Sequence, residues 1–333
     1  MPAGSVAEPP LGGRQQRATE SLSAPESTRD KVTIVRANAI DIEYEAIGPR
    51  DGQPMVLIMG LGMQLTAWPD VFCQGLASRG FRVIRFDNRD TGLSTKMPSI
   101  GPLTATALLA GAALRLPVRP RYGLADMARD AIGLMSALDI DRAHIVGASM
   151  GGMIAQIVAA DYPERVKSLV SLMSTSGNPA LPGPSPRVLR NLLRTRPRRD
   201  TARGIAQTVE FLRLIGSPGY PTSDSELWAK VERGLSRRHH PDGWTRHLIA
   251  VQAARSRVRA LRRIRAPTLV MHGADDPLIR VAAGRDTAAN IPGARLRIIP
   301  GWGHDLPTAL MPTLVAEIAD HCAGAAAPLR RAG

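Results

Sequence analysis

A serine lies among glycines in the stretch HIVGASMGG, residues 144–152, where an apolar strand pattern runs into a helical one. The five residues from Gly147 to Gly151 fit the pattern GxSxG. In a strand-to-helix turn, this pattern holds the serine in a strained conformation that presents its hydroxyl at the edge of a sheet. Glycines on either side avoid a collision with the turn. We therefore predict that Ser149 is a nucleophile and that Gly147 and Gly151 make its turn possible, although packing alone could also place a serine there.

A serine hydroxyl needs a base, and that base needs a carboxylate to orient it. Loops that follow predicted strands supply both, with Asp276 in GADDP and His304 in GWGHD. The order serine, aspartate, histidine is the one expected for this kind of turn on an α/β sheet. Asp275 is an alternative acid. We favour Asp276 because the residue before a proline is pushed into an extended conformation.

Acyl transfer also needs two N–H donors for the developing oxyanion. We predict the N–H of Met150, at the start of a helix, and the N–H of Leu61, in the MGLG loop after the apolar run MVLIMG. The GLG triplet of that loop is too short a signal to predict a dinucleotide site. Apolar side chains flanking these motifs predict a substrate pocket, though each is also a typical core residue. The pocket residues are Met63, Trp68, Met173 and Trp302.

Strand and helix patterns alternate along most of the chain, which predicts an α/β fold. An alternating segment at 31–48, with a turn near residues 37–39, indicates an N-terminal hairpin. Short apolar runs indicate buried strands, with helices between them. We therefore predict a mostly parallel sheet with helices on both faces. The runs are 55–60, 81–87, 144–149, 166–174, 268–273 and 294–301.

One segment, residues 179–265, has helical patterns and no strand pattern. We predict that it is an all-helical cap, inserted before the strand that carries Asp276 and lying over the sheet edge where open α/β sheets bind ligands. Residues 31–178 and 266–323 then form the α/β core. Residues 1–30, rich in proline, glycine, serine and charge, are expected to be a disordered tail.

Positive charge is concentrated in the predicted cap. The net charge is +14, and residues 186–265 hold 18 arginines and one lysine against six acidic residues. A solvated surface explains such charge, and a basic face for anionic ligands or surfaces is the alternative. The chain carries no nucleic-acid motif and only 4% aromatic residues, so no specific nucleic-acid partner is expected. No pattern indicates an oligomeric state.

No stretch reaches the roughly 18 apolar residues of a membrane span. The most apolar segment, TATALLAGAALRL at residues 104–116, is too short and contains Arg115, so we predict a buried helix or an interfacial segment. The opening residues lack the apolar centre of a signal peptide.

Two cysteines, Cys73 and Cys322, lie far apart without metal-ligand spacing. They indicate structural thiols in a reducing compartment, so we expect a cytoplasmic protein without zinc. His239 and His240 lack a partner ligand at metal spacing, and a loop position is expected for them.

Five motifs in order make the chain similar to the α/β-hydrolase superfamily from about Lys31 to Cys322: VLIMGLG, FDNRDTGLS, GASMGG, GADDP and GWGH. FDNRDTGLS and the arginine-rich cap look most like the branch that includes the anthracycline methylesterases. GASMGG also occurs among serine haloperoxidase, or perhydrolase, relatives. The resemblance implies an ester hydrolase that forms an acyl-enzyme, needs no cofactor and acts on a small-molecule ester. It implies Ser149 as nucleophile, His304 as base, Asp276 as its partner, and Leu61 with Met150 as oxyanion donors.

Two positions depart from the family pattern. Met59 stands where the family often has a histidine, and Asp90 replaces the first glycine of the DxRGxGxS loop. Neither side chain is required for acyl transfer. Asp87, Arg89 and Asp90 are expected to serve structure, because such residues cap turns after strands. Perhydrolysis and carbon–carbon bond hydrolysis use the same triad and remain alternatives, as does a non-catalytic ligand-binding or anion-binding protein.

Overall fold

The computed structural model describes residues 33–326 except 115, 117, 195–201 and 239. The tail expected for residues 1–30 lies outside the described residues. Eight strands form one sheet in the order β1-β2-β4-β3-β5-β6-β7-β8. The strands are β1 Thr33–Ala37, β2 Ile40–Ile47, β3 Gln53–Ile58, β4 Phe81–Phe86, β5 Ala143–Ala148, β6 Val166–Leu172, β7 Thr268–Gly273 and β8 Arg295–Ile299.

The sheet begins with an antiparallel hairpin and continues as a parallel sheet. Strands β1 and β2 turn through Asn38 and Ala39, which both have positive φ, and β2 then pairs antiparallel with β4. All later neighbours pair in parallel. Parallel pairing requires crossover connections, which the intervening helices supply. The predicted α/β class with an N-terminal hairpin is confirmed.

Helices cover both faces of the sheet. Successive side chains of a strand point to opposite faces, so both sets are buried under helices. In β3, Val56 and Ile58 join a core with two helices, while Met55 and Leu57 join the core on the opposite face. This is why β3 reads as a continuous apolar run instead of an alternating one. The first core contains α3 Leu124–Ala137 and α4 Met150–Asp161, and the second contains α1 Asp70–Ala77 and α11 Met311–Ala326. Another helix, α10 Val281–Asn290, contacts β7.

Residues 179–265, which we call the insertion, lie between β6 and β7. Helices are the only regular secondary structure in its described residues. Val209, Leu227 and Val231 form a small separate core within it. Its predicted role as a cap, and its division from the core at residues 178 and 266, stay predictions. The helices of the insertion are α5 Pro186–Arg194, α6 Ala202–Ile215, α7 Asp224–Arg237, α8 Pro241–Ala253 and α9 Val258–Leu261.

The apolar segment predicted to be a buried or an interfacial helix forms α2, Pro102–Ala113. It is not buried, because its leucines at both ends are largely exposed: Leu103 by 86% and Leu114, one residue beyond the helix, by 72%. The buried interpretation was therefore wrong. Apolar composition alone does not distinguish a core helix from an exposed one. One side of α2 contacts α8 of the insertion.

Among the described residues, no helix combines the length and the apolar character needed to cross a membrane. Both cysteines, Cys73 in α1 and Cys322 in α11, are buried free thiols. Burial raises the pKa of the Cys73 thiol to about 12 and that of Cys322 to about 11. Thiols in such surroundings stay protonated and unreactive, in keeping with a structural role.

Candidate active site

Ser149 occupies a strained turn between β5 and α4. Its φ of 55° and ψ of −119° lie outside the usual regions for a residue with a side chain. The glycines on either side are needed because the backbone passes so close to itself. A Cβ on Gly147 would stand 2.2 Å from the Gly151 carbonyl oxygen, and a Cβ on Gly151 would stand 1.9 Å from the oxygen of Ile58 at the end of β3.

Three side chains predicted to act together are in hydrogen-bond contact. His304 Nε2 is 3.0 Å from Ser149 Oγ, and His304 Nδ1 is 2.7 Å from Asp276 Oδ2. Because a carboxylate only accepts, Nδ1 carries the proton and Nε2 accepts from the serine hydroxyl. Two backbone N–H groups, of Leu278 and Ile279, donate to the other oxygen of Asp276 and fix its orientation. The arrangement can therefore pass a proton from the hydroxyl to the imidazole.

The neighbouring acid, Asp275, serves a different purpose. Its Oδ2 accepts a 2.7 Å hydrogen bond from the N–H of Gly301, so it braces the loop that leads to His304. Asp276, the residue before the proline, is the one that contacts the imidazole.

The two predicted oxyanion donors border the serine. Met150 is the first residue of α4, and the Leu61 loop follows β3, where a Cβ on Gly60 would stand 3.2 Å from the Ser149 Cβ. Within the described part of the chain, neither the Leu61 N–H nor the Met150 N–H donates to a protein acceptor. Ser149 is half-buried, and two backbone donors beside it without a protein acceptor suit a developing negative charge.

The predicted pocket residues divide into two groups. Met63 is half-buried beside the Leu61 loop. Met173 follows β6 with a positive φ of 41° and is buried in the same core as Trp68 and Trp302. Trp68 and Trp302 are fully buried. They belong to the core instead of an open pocket, since Trp68 stacks on Phe72 at 5.3 Å and the Trp302 indole donates to the Asp305 carbonyl oxygen.

A histidine of the insertion, not anticipated from the sequence, holds the Leu61 loop. His247 of α8 donates from Nε2 to the carbonyl oxygen of Arg89 at 2.8 Å, which leaves Nδ1 to accept the Gly62 N–H at 3.1 Å. Burial lowers the pKa of His247 to about 4, so it is neutral at ordinary pH. Trp244, on the same helix, covers Gly62 so closely that a Cβ there would meet the indole at 2.6 Å.

The insertion also supports the loop of His304. The His304 N–H donates to the carbonyl oxygen of Ile215 at the end of α6, at 2.7 Å. Ser217 accepts the N–H of Gly303 at 2.9 Å and donates to the carboxylate of Asp305. The insertion is thus bonded to both loops that flank Ser149.

Asp90, which departs from the family pattern, has a structural explanation. It stands in a glycine position with a positive φ of 67°, and both oxygens of its buried carboxylate accept from Arg246 of α8 at 2.8 Å. The Tyr122 hydroxyl and the Met97 N–H complete its hydrogen bonds. Those hydrogen bonds hold the pKa of Asp90 below its ordinary value although burial opposes this. The strained backbone of Asp90 therefore provides an anchor for the insertion.

A second buried anchor joins α7 to the core. Arg237 contacts Glu43 at 2.5 Å and Asp87 at 2.7 Å. Burial and the neighbouring Asp87 raise the pKa of Glu43 to about 7 despite Arg237. Asp87 also accepts the Leu65 N–H at 2.7 Å, and thereby fixes the far end of the Leu61 loop. The expected structural role of the FDNRDTGLS loop agrees with these contacts.

No group of three or more histidine, cysteine, aspartate or glutamate side chains in the described residues could hold a metal ion. His240 Nε2 lies 2.8 Å from an Arg246 nitrogen, which occupies it, and His239 lies outside the described residues.

Comparison with known proteins agrees with this fold. The alpha/beta hydrolase fold family matches residues 53–307. A rhodomycin D methylesterase from a Streptomyces species is 30% identical over 88% of this chain and 96% of its own. A 2-hydroxy-6-oxononadienedioate/2-hydroxy-6-oxononatrienedioate hydrolase from Burkholderia vietnamiensis is 27% identical over 86% of this chain and 93% of its own.

Among solved structures, a meta-cleavage product hydrolase from Pseudomonas fluorescens shares the fold, with a TM-score of 0.68 and 19% identity over 88% of this chain and 98% of that one. The sequence resemblance to the methylesterase branch is confirmed by the 30% identical relative. The chain belongs to the α/β-hydrolase fold family and is an enzyme of that family.

Proposed function

We propose that the protein is a serine hydrolase that cleaves carboxylic esters of small to medium apolar substrates through an acyl-enzyme. The observation that carries the proposal is the hydrogen-bonded series Ser149, His304 and Asp276, at 3.0 and 2.7 Å, next to two N–H groups that have no protein acceptor among the described residues.

In the first half of the reaction, Ser149 Oγ attacks the ester carbonyl carbon while His304 Nε2 takes its proton. The carbonyl oxygen becomes an oxyanion and accepts from the N–H groups of Leu61 and Met150. Asp276 stabilises the imidazolium through Nδ1 without taking its proton. His304 then gives the Nε2 proton to the departing alkoxide, which leaves as the alcohol, and the acyl group remains on Ser149.

In the second half, water replaces the alcohol. His304 Nε2 takes a proton from the water as its oxygen attacks the acyl carbon, and the same two N–H groups hold the second oxyanion. Collapse of this intermediate breaks the bond to Ser149 Oγ, which recovers a proton from His304. The acid product leaves. In both halves of the reaction, His304 Nε2 is the group that takes and returns the proton.

The substrate class rests on the relatives and on the apolar surroundings. The 30% identical relative is named a methylesterase, so esters of small alcohols are the first to test. Met63, half-buried beside the Leu61 loop, offers flexible apolar contact to an acyl group or alcohol.

The test is a series of p-nitrophenyl and methyl esters of increasing acyl length, with wild type, Ser149→Ala and His304→Ala. We expect hydrolysis that favours short to medium acyl groups and falls by at least about a thousandfold in both variants. Ser174→Ala is the matched control, because its hydroxyl only donates to the Ser149 carbonyl oxygen at 2.8 Å. Hydrolysis that persists in Ser149→Ala would refute the proposal.

A serine-directed phosphonate separates this proposal from a non-catalytic role. Wild type should form a covalent adduct on Ser149, detected by mass spectrometry of the peptide. Folded protein that forms no adduct and hydrolyses no ester would indicate a ligand-binding or anion-binding protein instead.

Carbon–carbon bond hydrolysis is a second candidate, because the Burkholderia relative bears the name of such a dienedioate hydrolase. Perhydrolysis uses the same residues. Two parallel assays would decide between these reactions. One uses 2-hydroxy-6-oxononadienedioate, and the other uses hydrogen peroxide together with an ester. Esterolysis faster than both supports the first proposal.

A further inference from the structure

An uncharged apolar surface stands out on the helix α2. Its twelve residues, PLTATALLAGAA, include no charged side chain. Leu103, Ala107, Ala110 and Leu114 recur at intervals of four, three and four residues and are all exposed. Leu103 and Leu114 are exposed by 86% and 72%, and Leu116 by 56%. Contiguous exposed apolar residues of this kind mark interaction sites in proteins that fold as monomers.

Only positive charge accompanies this helix. From residue 97 to residue 125 the sequence contains three arginines and no aspartate, glutamate or lysine. Arg119 and Arg121, shortly after α2, are exposed. The whole chain carries a net charge of +14, concentrated in the insertion against which α2 packs. A partner that offers both apolar contact and negative charge would satisfy both features.

We propose that α2, together with Leu116, Arg119 and Arg121, docks the protein on the surface of an anionic phospholipid bilayer. The leucines would enter the boundary between headgroups and acyl chains while the arginines contact lipid phosphates, as in other interfacial helices. We call these residues the α2 surface. This proposal concerns binding to a surface and does not rest on the proposed ester hydrolysis.

The dimensions of α2 suit a helix that lies in the interface. Twelve residues extend about 18 Å, short of the roughly 30 Å of a bilayer's hydrocarbon core. A helix buried in protein would have covered the leucines, and a helix exposed only to water would normally carry charged residues on that side. The remaining environment that accepts an uncharged apolar side is a lipid boundary or another protein.

Docking at this place would bring the candidate active site near the lipid. Helix α2 contacts α8, and α8 carries Trp244 and His247, which contact the Leu61 loop beside Ser149. One helix, α8, thus connects the α2 surface to the loop beside Ser149.

The experiment is co-sedimentation of the full chain with vesicles of phosphatidylcholine alone, or of equal parts phosphatidylcholine and phosphatidylglycerol. We expect binding to the mixed vesicles that weakens as salt screens the arginines. The double variant Leu103→Asp, Leu114→Asp should lower the partition constant by more than about tenfold. Arg119→Ser with Arg121→Ser should lower it by about thirtyfold on mixed vesicles and little on neutral ones.

Leu296→Asp is the matched control, since Leu296 on β8 is also exposed, by 41%, and lies outside the α2 surface. It should bind like wild type. Circular dichroism checks that every variant is folded. Absent binding at low salt, or equal binding by the leucine double variant, would overturn the proposal. Sedimentation that reveals a dimer of wild type, which the leucine variant disperses, would assign the α2 surface to a second copy and also overturn it.

Discussion

Two replacements of His247 should separate its effect on catalysis from its effect on stability. An asparagine places its side-chain oxygen where the imidazole has Nδ1, and can still accept the Gly62 N–H. A glutamine places its NH₂ where the imidazole has Nε2, and can still donate to the Arg89 carbonyl oxygen. Each variant thus keeps one of the two hydrogen bonds, at 3.1 and 2.8 Å, and loses the other.

The cost to stability should be about 1–3 kcal/mol for His247→Asn, which leaves the buried Arg89 carbonyl oxygen without a partner, and no larger for His247→Gln, which leaves the half-buried Gly62 N–H without one. The effect on rate should differ. Gly62 follows Leu61 directly, so the glutamine variant loses the anchor of a proposed oxyanion donor. Removal of such a donor costs about a hundredfold to a thousandfold in kcat, and a displaced donor should cost part of that, about tenfold to a hundredfold.

The assay measures kcat and KM with a short p-nitrophenyl ester, alongside urea unfolding of each variant. We expect His247→Gln to lower kcat with little change in KM, and His247→Asn to keep most of the wild-type kcat. His321→Asn is the control, since His321 on α11 is a buried histidine whose Nε2 is bonded to the Pro267 carbonyl oxygen, away from Ser149, and asparagine loses this donor. It should lose stability without losing kcat. Equal kcat values for the two His247 variants, at equal fractions of folded protein, would show that His247 serves stability alone.

Three further outcomes follow from the contacts described. Asp276→Asn should lower kcat by about ten-thousandfold, whereas Asp275→Asn should destabilise its loop and leave kcat near wild type, both measured with a short ester. Gly151→Ala should cost about 3 kcal/mol or more in urea unfolding, or prevent folding, because its Cβ would meet a backbone oxygen at 1.9 Å. The pKa of Glu43, about 7, is above the ordinary 4.5, so its proton stabilises the fold fully below pH 4.5, and this stabilisation is lost as the pH rises through 7. Glu43→Gln should therefore flatten the decline of the urea midpoint over that range. An unchanged slope in Glu43→Gln would contradict the assigned cause.

The fold and the contacts of Ser149, His304 and Asp276 were predictable from sequence because their signals are local. An apolar run followed by glycines and a serine specifies a strand, a turn and a helix within nine residues. Asp276 and His304 each follow a predicted strand, and parallel strands bring their carboxyl ends to one edge of the sheet. The topology then supplies the proximity that the sequence does not state.

Contacts between the insertion and the core could not be predicted in this way. His247 and Gly62 are separated by 185 residues, and no periodicity connects them. Arg237 and Arg246 each look like one more basic residue in an arginine-rich segment until their buried acidic partners are located. Residue type was equally uninformative for Trp302, which suits a pocket or a core, and for α2, whose apolar pattern predicted burial as readily as exposure.

Arginine anchors also limit how this architecture can be recombined. Three core carboxyl groups, those of Glu43, Asp87 and Asp90, are buried beneath arginines that belong to the insertion. In a chimera that carried a relative's helices in place of residues 179–265, these buried acids would lack counter-charges unless the relative's helices supplied equivalent arginines. Breaking a buried ion pair costs about 3–5 kcal/mol. Exchange of the helical segment to alter substrate range therefore requires these core acids to be exchanged with it.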